Sequence, residues 1–173
     1  NVPPQFPLDQ LKYKLSVENV ELAVSKGNYE NLSSLNVGYI DLRNLDVDTS
    51  FDFNIPTPKG AVNLSSESTV HVSIELGELS SKTFTVGNLT LVNKPDNYEV
   101  RLNTAKIYNV KIVGKADVLR DIQASDIVAQ VDLSTVSITT NQVITAPVQI
   151  VLPNGQLAWG VGSYSAVVTA KPS

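Results

Sequence analysis

The fold of this chain is decided by the stretch Val110-Lys111-Ile112-Val113-Gly114, continued by Val131-Asp132-Leu133-Ser134-Thr135-Val136. A similar, earlier version of this stretch occurs in the same sequence. The earlier version opens with Val20-Glu21-Leu22-Ala23-Val24 and runs to Ile40-Asp41-Leu42-Arg43-Asn44-Leu45. The two versions are offset by about 90 residues, which is the length of a small domain. The sequence therefore predicts that one small domain occurs twice in tandem.

The two predicted domains, residues 1–79 and 80–173, are dominated by alternation of apolar and polar residues. Thr69-Val70-His71-Val72-Ser73-Ile74-Glu75-Leu76 alternates without a break, which is the period of a strand with one buried face. Two short stretches with helical spacing, beginning near Gly27 and Ala116, interrupt the pattern at equivalent places. We therefore predict an all-β protein made of two small antiparallel β domains, each with one short helix.

The same alternation predicts which side chains form the two cores. In the first domain these residues are Leu22, Leu32, Leu35, Ile40, Leu42, Val70, Val72 and Ile74. In the second domain they are Ile112, Leu119, Ile122, Val131, Leu133, Ile150, Leu152 and Val167.

Composition excludes several classes of function. The 173 residues include 42% hydrophobic and 17% charged residues, which is typical of a globular chain. The absence of cysteine excludes disulfides and thiolate metal sites. The net charge of −4, with Lys and Arg scattered singly, argues against binding to nucleic acid or to an anionic membrane surface. Because the chain has no methionine and begins with Asn1, we expect a processed protein or a segment, with any membrane anchor outside it.

Two groups of residues could carry chemistry, and neither has the pattern that the chemistry requires. His71 shares a strand face with Ser73 and Glu75, but no nucleophile elbow accompanies this set, and a surface histidine is the simpler reading. The three aspartates within residues 46–52 could contribute to a Ca²⁺ site, but EF-hand spacing and a glycine at the bend are missing. The sequence therefore predicts a protein that is not an enzyme and has no catalytic, cofactor or metal site.

Trp159 and Tyr164 are the candidates for contact with a partner or a glycan. An exposed aromatic ring can stack on a sugar or anchor a protein interface, whereas a buried ring at one end of a small sandwich is the other reading of Trp159. Asp41 in the first repeat and Asp132 in the second occupy equivalent positions. This recurrence favours a structural role, in which each carboxylate accepts backbone N–H groups at a turn.

The order of these motifs resembles the YbbR-like domain of bacterial proteins. Gly114 closes a stretch similar to the family's Val-x-Val-x-Gly pattern, and Asp132 and Leu133 lie in a stretch similar to its Val-Asp-Leu-Ser tetrad. The first repeat keeps Asp41 and Leu42 but lacks the glycine of the first pattern. These five residues are interpreted as structural markers of the repeat.

The resemblance implies a function as well as a fold. Domains of this family occur as tandem arrays outside the cell membrane, usually behind a transmembrane helix, and some regulate a membrane diadenylate cyclase by protein contact. We therefore expect an extracytoplasmic, non-catalytic module that binds an unidentified protein partner at the cell surface or membrane and has no cofactor. The alternative is a cell-surface adhesion or carbohydrate-binding module built around Trp159 and nearby tyrosines.

Overall fold

The computed structural model describes residues 2–3, 6, 8–27, 32–138, 142–152 and 157–172. The chain forms two compact units. Unit 1 consists of Asn1–Asp9, Asp41–Val47 and Gly77–Ser173, and unit 2 consists of Gln10–Ile40 and Asp48–Leu76. The division into domains at residue 79 stays a prediction, and the compact units differ from it in three segments, 1–9, 41–47 and 77–79, which belong with the later part of the chain.

Strands dominate the part of the chain that the structure describes. In unit 2 they are β1 (Lys12–Leu15), β2 (Leu22–Val24), β3 (Ser50–Asn54), β4 (Ala61–Asn63) and β5 (Thr69–Glu75). In unit 1 they are β6 (Ser80–Val86), β7 (Leu89–Val92), β8 (Tyr98–Leu102), β9 (Ile107–Gly114), β10 (Val128–Asp132), β11 (Val143–Val151), β12 (Ala158–Val161) and β13 (Tyr164–Pro172). The predicted all-β fold class is confirmed.

Unit 1 contains two sheets. One has five strands in the order β7-β10-β11-β13-β8, and the other has three strands in the order β12-β9-β6. All pairs in these sheets are antiparallel except β7 with β10, which is parallel. The parallel pair is possible because β8, β9 and a helix intervene, and such a crossover needs a dozen or more residues.

The helix between β9 and β10 confirms one of the two predicted helices. Helix α1 spans Ala116–Asp121 and buries Leu119, as its spacing predicts. The prediction of a helix near Gly27 is only partly covered, because residues 28–31 lie outside the described residues. Residues 32–35 are not helical, so the predicted helix does not extend over them. No helix within the described ranges has the length and apolar character needed to span a membrane.

The core of unit 1 is one apolar cluster shared by both sheets and α1. Seven of the eight residues predicted for it are buried: Ile112, Leu119, Ile122, Val131, Leu133, Ile150 and Leu152. The prediction for Val167 is wrong. On β13 the buried side chains are Ala166, Val168 and Ala170, so Val167 lies on the opposite face of the strand.

Unit 2 has a three-stranded sheet, in the order β1-β5-β3, and a two-stranded sheet of β2 and β4. Val70, Val72 and Ile74 are buried on one face of β5, as predicted. The burial predicted for Leu22, Leu32, Leu35 and Ile40 is wrong, because all four are only half-buried. The first three line an open pocket of about 220 Å³. Leu42, also assigned to this core, is buried in unit 1 instead.

Candidate interaction groove

Residues 41–47, which we call the strap, cover a second apolar surface of unit 1. Trp159 on β12 lies opposite Val113 on β9, and both alternate with residues of the main core, so they face away from it. Trp159 is nevertheless only 1% exposed. Its indole Nε1 donates a hydrogen bond to the main-chain oxygen of Leu45 in the strap at 2.6 Å. The Phe6 ring packs edge-on against the indole with centroids 5.2 Å apart.

An ion pair provides a second attachment of the strap. The ammonium Nζ of Lys111 on β9 donates to Oδ2 of Asp46 at 2.5 Å, and each side chain is 38% exposed. The hydrogen bond from Lys111 lowers the pKa of Asp46 below its usual value, with a further contribution from the Val47 N–H. A buried hydrogen bond and a half-exposed ion pair therefore both attach the strap.

Trp159 does not present the exposed ring that a glycan contact requires. Both the indole N–H and the ring faces are occupied within unit 1, so the reason for assigning a ligand contact to Trp159 is removed. Tyr164 is half-buried, and its hydroxyl is held by the main chain. It donates to the carbonyl of Val161 at 2.6 Å and accepts the N–H of Lys111 at 2.9 Å.

Asp41 and Asp132 build the same local turn. The carboxylate of Asp41 accepts the N–H of Arg43 at 3.0 Å, and that of Asp132 accepts the N–H of Ser134 at 2.9 Å. The leucine that follows each aspartate is buried, and its carbonyl accepts the N–H three residues later at 3.3 Å in both copies. An Asp-Leu pair therefore produces the same turn twice.

The surroundings of the two aspartates differ. Asp41 also binds the guanidinium of Arg43, with Nη2 to Oδ2 at 2.6 Å, and this contact raises the pKa of Arg43. Asp132 accepts a hydrogen bond from the Asn93 amide at 2.8 Å, and this bond, followed by those from Ser134, lowers the pKa of Asp132. The Asp132 carboxylate therefore remains ionised at neutral pH.

A groove of about 720 Å³ on unit 1 brings the two repeat sites to one surface, and we call it the Arg43–Asp132 groove. Arg43 and Asn44 of the strap line it, together with Asp132 and Thr135 from the second repeat. The other lining residues come from the N-terminal segment, β11, β12 and β13: Val2, Pro3, Pro147, Val148, Gln149, Ile150, Gly160, Gly162, Ser163 and Tyr164. The volume lies within the range of ligand sites.

The lining of the groove is chemically mixed. It combines one guanidinium, one carboxylate, two amides and three hydroxyls with valine and proline side chains. These groups can donate and accept hydrogen bonds and can exclude water from an apolar side chain. The lining residues include no histidine that could activate the Ser163 or Thr135 hydroxyl as a nucleophile.

The other residues considered for chemistry are not assembled into a site. In unit 2, His71 Nδ1 lies 2.7 Å from Asp52 Oδ1, and both side chains are largely exposed. Each of the three aspartates within residues 46–52 has its own partner: Asp46 binds Lys111, Asp48 accepts the N–H of Ser50, and Asp52 binds His71. Across the described ranges, no group of three or more acidic or histidine residues is placed to hold a metal ion.

Gly114 has a structural reason for its place at the end of β9. A Cβ atom at this position would lie 2.7 Å from the carbonyl oxygen of Leu157 and 2.8 Å from Cβ of Ala158. The edge of β12 can therefore approach β9 this closely only if residue 114 has no side chain.

The sequence did not predict the strap or the groove. Both depend on the packing of residues 41–47 into a unit whose strands all come much later in the chain. No local sequence pattern indicates this packing. The one usable signal was Trp159, since a buried indole N–H needs an acceptor and thereby indicates a covering segment.

A protein-family comparison supports the resemblance drawn from the motifs. Residues 88–169 match the model of the family described as YbbR-like protein, which is slightly less than half of the chain. This region contributes β11, β12, Asp132 and Tyr164 to the groove, whereas the strap lies outside it. The match covers a single region, so the tandem arrangement of two such domains stays a prediction.

Among solved structures, the chain is similar to a YbbR-like protein from Streptococcus pneumoniae TIGR4, determined by crystallography at 2.74 Å resolution. The identity is 17%, the TM-score is 0.36, and the alignment covers 73% of this chain and 65% of that one. The chain thus spans less than two thirds of the length of that protein. No curated protein matches the sequence.

Proposed function

We propose that this chain is a non-catalytic protein-interaction module that binds an extended segment of a partner protein in the Arg43–Asp132 groove. The groove itself is the observation that carries this proposal. It is large enough for several residues, offers both signs of charge, and combines amide and hydroxyl groups with apolar ones. Such a mixture suits a polypeptide, which presents main-chain hydrogen-bonding groups and side chains together.

The two charges of the groove are positioned before a partner arrives. Asp41 holds Arg43 on one side, and Asn93 and Ser134 hold Asp132 on the other. Because these side chains are already fixed, they lose less conformational entropy when a partner binds. Opposite charges also define the direction in which a polar segment can lie, which gives specificity more than affinity.

The proposal includes a location outside the cytoplasm, on the cell surface or anchored to the membrane by a segment outside this chain. The resemblance to YbbR-like domains supports this location. Because the chain has no cysteine, Arg120→Cys on exposed α1 creates a unique thiol. A membrane-impermeant maleimide should label this variant in intact cells. Labelling only after lysis would contradict the location.

Site-specific crosslinking tests the groove. A photo-reactive amino acid at position 149 or 135 of the protein in its own cells should capture the same partner from both sites, and the same residue at position 120 should not. Gln149→Arg, which adds a long charged side chain to the groove, should weaken binding of the purified partner at least about tenfold. Equal capture from all three positions, or unchanged binding by the variant, would contradict a role for the groove.

A further inference from the structure

The strand β8 is an open edge of the five-stranded sheet of unit 1. It pairs with β13 on one side, with Glu99 opposite Lys171 and Arg101 opposite Thr169. On its other side, no strand among the described residues pairs with it. An open edge offers a row of main-chain donors and acceptors to another strand.

The alternation of the ladder shows which groups of β8 face outward. The N–H of Asn103, which follows β8, donates to the carbonyl of Val167 at 2.9 Å. In an antiparallel ladder the main-chain groups alternate between the two sides, so those of Glu99 and Arg101 also point to β13. The main-chain groups of Tyr98, Val100 and Leu102 therefore point away from the sheet. The Tyr98 N–H already donates a hydrogen bond to the carbonyl of Pro95 at 3.4 Å.

The side chains of β8 form a self-complementary pattern. Tyr98, Val100 and Leu102 are half-buried and pack against the core, while Glu99 and Arg101 are exposed on the other face. Val100 is the central residue of the strand. Glu99 lies one residue before it, and Arg101 lies one residue after it. If the strand is turned end to end about Val100, Glu99 falls where Arg101 was and Arg101 falls where Glu99 was.

We propose that β8 pairs with β8 of a second copy of this chain, antiparallel and about a two-fold axis through Val100. In this register Val100 lies opposite Val100 of the second copy, and Tyr98 lies opposite Leu102. Glu99 lies opposite Arg101 of the second copy, and the reverse pair forms as well, so the interface contains two cross-strand ion pairs. A two-fold axis requires this kind of self-complementary surface.

The outward main-chain groups fit this register. Val100 can exchange two hydrogen bonds with Val100 of the second copy, and the N–H of each Leu102 can reach the carbonyl of Tyr98. The two five-stranded sheets then become one continuous sheet. The opposite edge strand, β7, has no charged residues to define such a register, and it is followed directly by Asn93, which has a φ of 55°.

Charge reversal tests the pairing. We expect the wild-type chain at about 100 μM, a concentration chosen because small interfaces bind weakly, to sediment with a mass approaching twice 18.7 kDa. Glu99→Arg and Arg101→Glu should each shift the protein to a monomer, because like charges then face each other. An equimolar mixture of the two variants should dimerise again, since both cross-strand pairs are then complementary.

Arg120→Glu, a charge reversal on exposed α1, is the control and should leave the mass of the dimer unchanged. Circular dichroism establishes that each variant keeps its fold. A monomeric wild-type chain, a dimer that survives both single reversals, or a mixture that stays monomeric would each overturn the proposal. These results do not depend on the groove, so they are independent of the proposed function.

Discussion

The indole of Trp159 donates its hydrogen bond to the carbonyl of Leu45, 114 residues earlier in the chain, at 2.6 Å. The donor lies on β12, and the acceptor lies in the strap. Both residues are 1% exposed, so this bond is made where water cannot replace it. It joins the strap to the sheet that the strap covers, and the strap in turn supplies Arg43 to the groove.

Trp159→Phe should destabilise the protein because it leaves the buried Leu45 carbonyl without its donor. An unsatisfied buried acceptor costs about 1–3 kcal/mol, and we expect a loss of this size in urea unfolding at neutral pH. Tyr108→Phe, at an aromatic residue that is 66% exposed, is the matched control and should change little. Equal stability of the two variants would mean that the indole bond contributes nothing.

Leu45→Ala should loosen the strap through a packing defect. Loss of a buried leucine side chain costs about 2–5 kcal/mol, whereas Leu64→Ala, at a residue that is 56% exposed, should cost less than about 0.5 kcal/mol. Since Trp159 is the only tryptophan, its fluorescence should also shift to longer wavelength in Leu45→Ala as water reaches the ring. An unshifted spectrum would show that the strap does not shield the indole.

Gly114→Ala should destabilise unit 1, because its Cβ would lie within 2.8 Å of two atoms on the neighbouring segment. We expect a cost of about 1–3 kcal/mol, typical of overpacking. Gly87→Ala is the control, since its nearest atom is Lys106 Cγ at 3.9 Å. Thermal unfolding of both variants measures the difference, and equal melting temperatures would refute this account of Gly114.

Asn93→Gly should raise the pKa of Asp132 toward its ordinary value of 3.8, because the Asn93 amide is the main cause of the lowered value. Glycine keeps the positive φ of this position, so the backbone is not strained by the change. The carboxyl resonance of Asp132 in an NMR titration measures the pKa, and Asn54→Ala, at an exposed residue on β3, should leave it unchanged.

The same hydrogen bond predicts a pH dependence of stability. A carboxylate with a lowered pKa in the folded state stabilises the fold above its unfolded pKa, and this contribution is lost as the pH falls through the folded pKa. The wild-type protein should therefore lose more stability than Asn93→Gly as the pH falls below about 4. A loss of the same size in both proteins would show that the Asn93 bond does not affect the titration of Asp132.

Much of the fold could be predicted because its signals are local. Alternation predicted β5 and most of the unit 1 core, helical spacing predicted α1, and the repeated Asp-Leu pair predicted a turn that both copies form. Each of these signals depends on neighbours within a few residues, where strand and helix periods and turn hydrogen bonds act. The face of β13 was predicted wrongly because Ala166-Val167-Val168 offers an apolar residue to either side.

The sequence alone determined the all-β class, the position of α1 and the similarity of the second half to YbbR-like domains. Only the tertiary structure decided that Trp159 is buried, that Leu42 and Leu45 belong to unit 1, and that Arg43 and Asp132 line one groove. The reason is that a hydrophobic side chain indicates the need for burial but not the surface that will cover it. Burial is non-directional, and the covering segment here comes from a distant part of the chain.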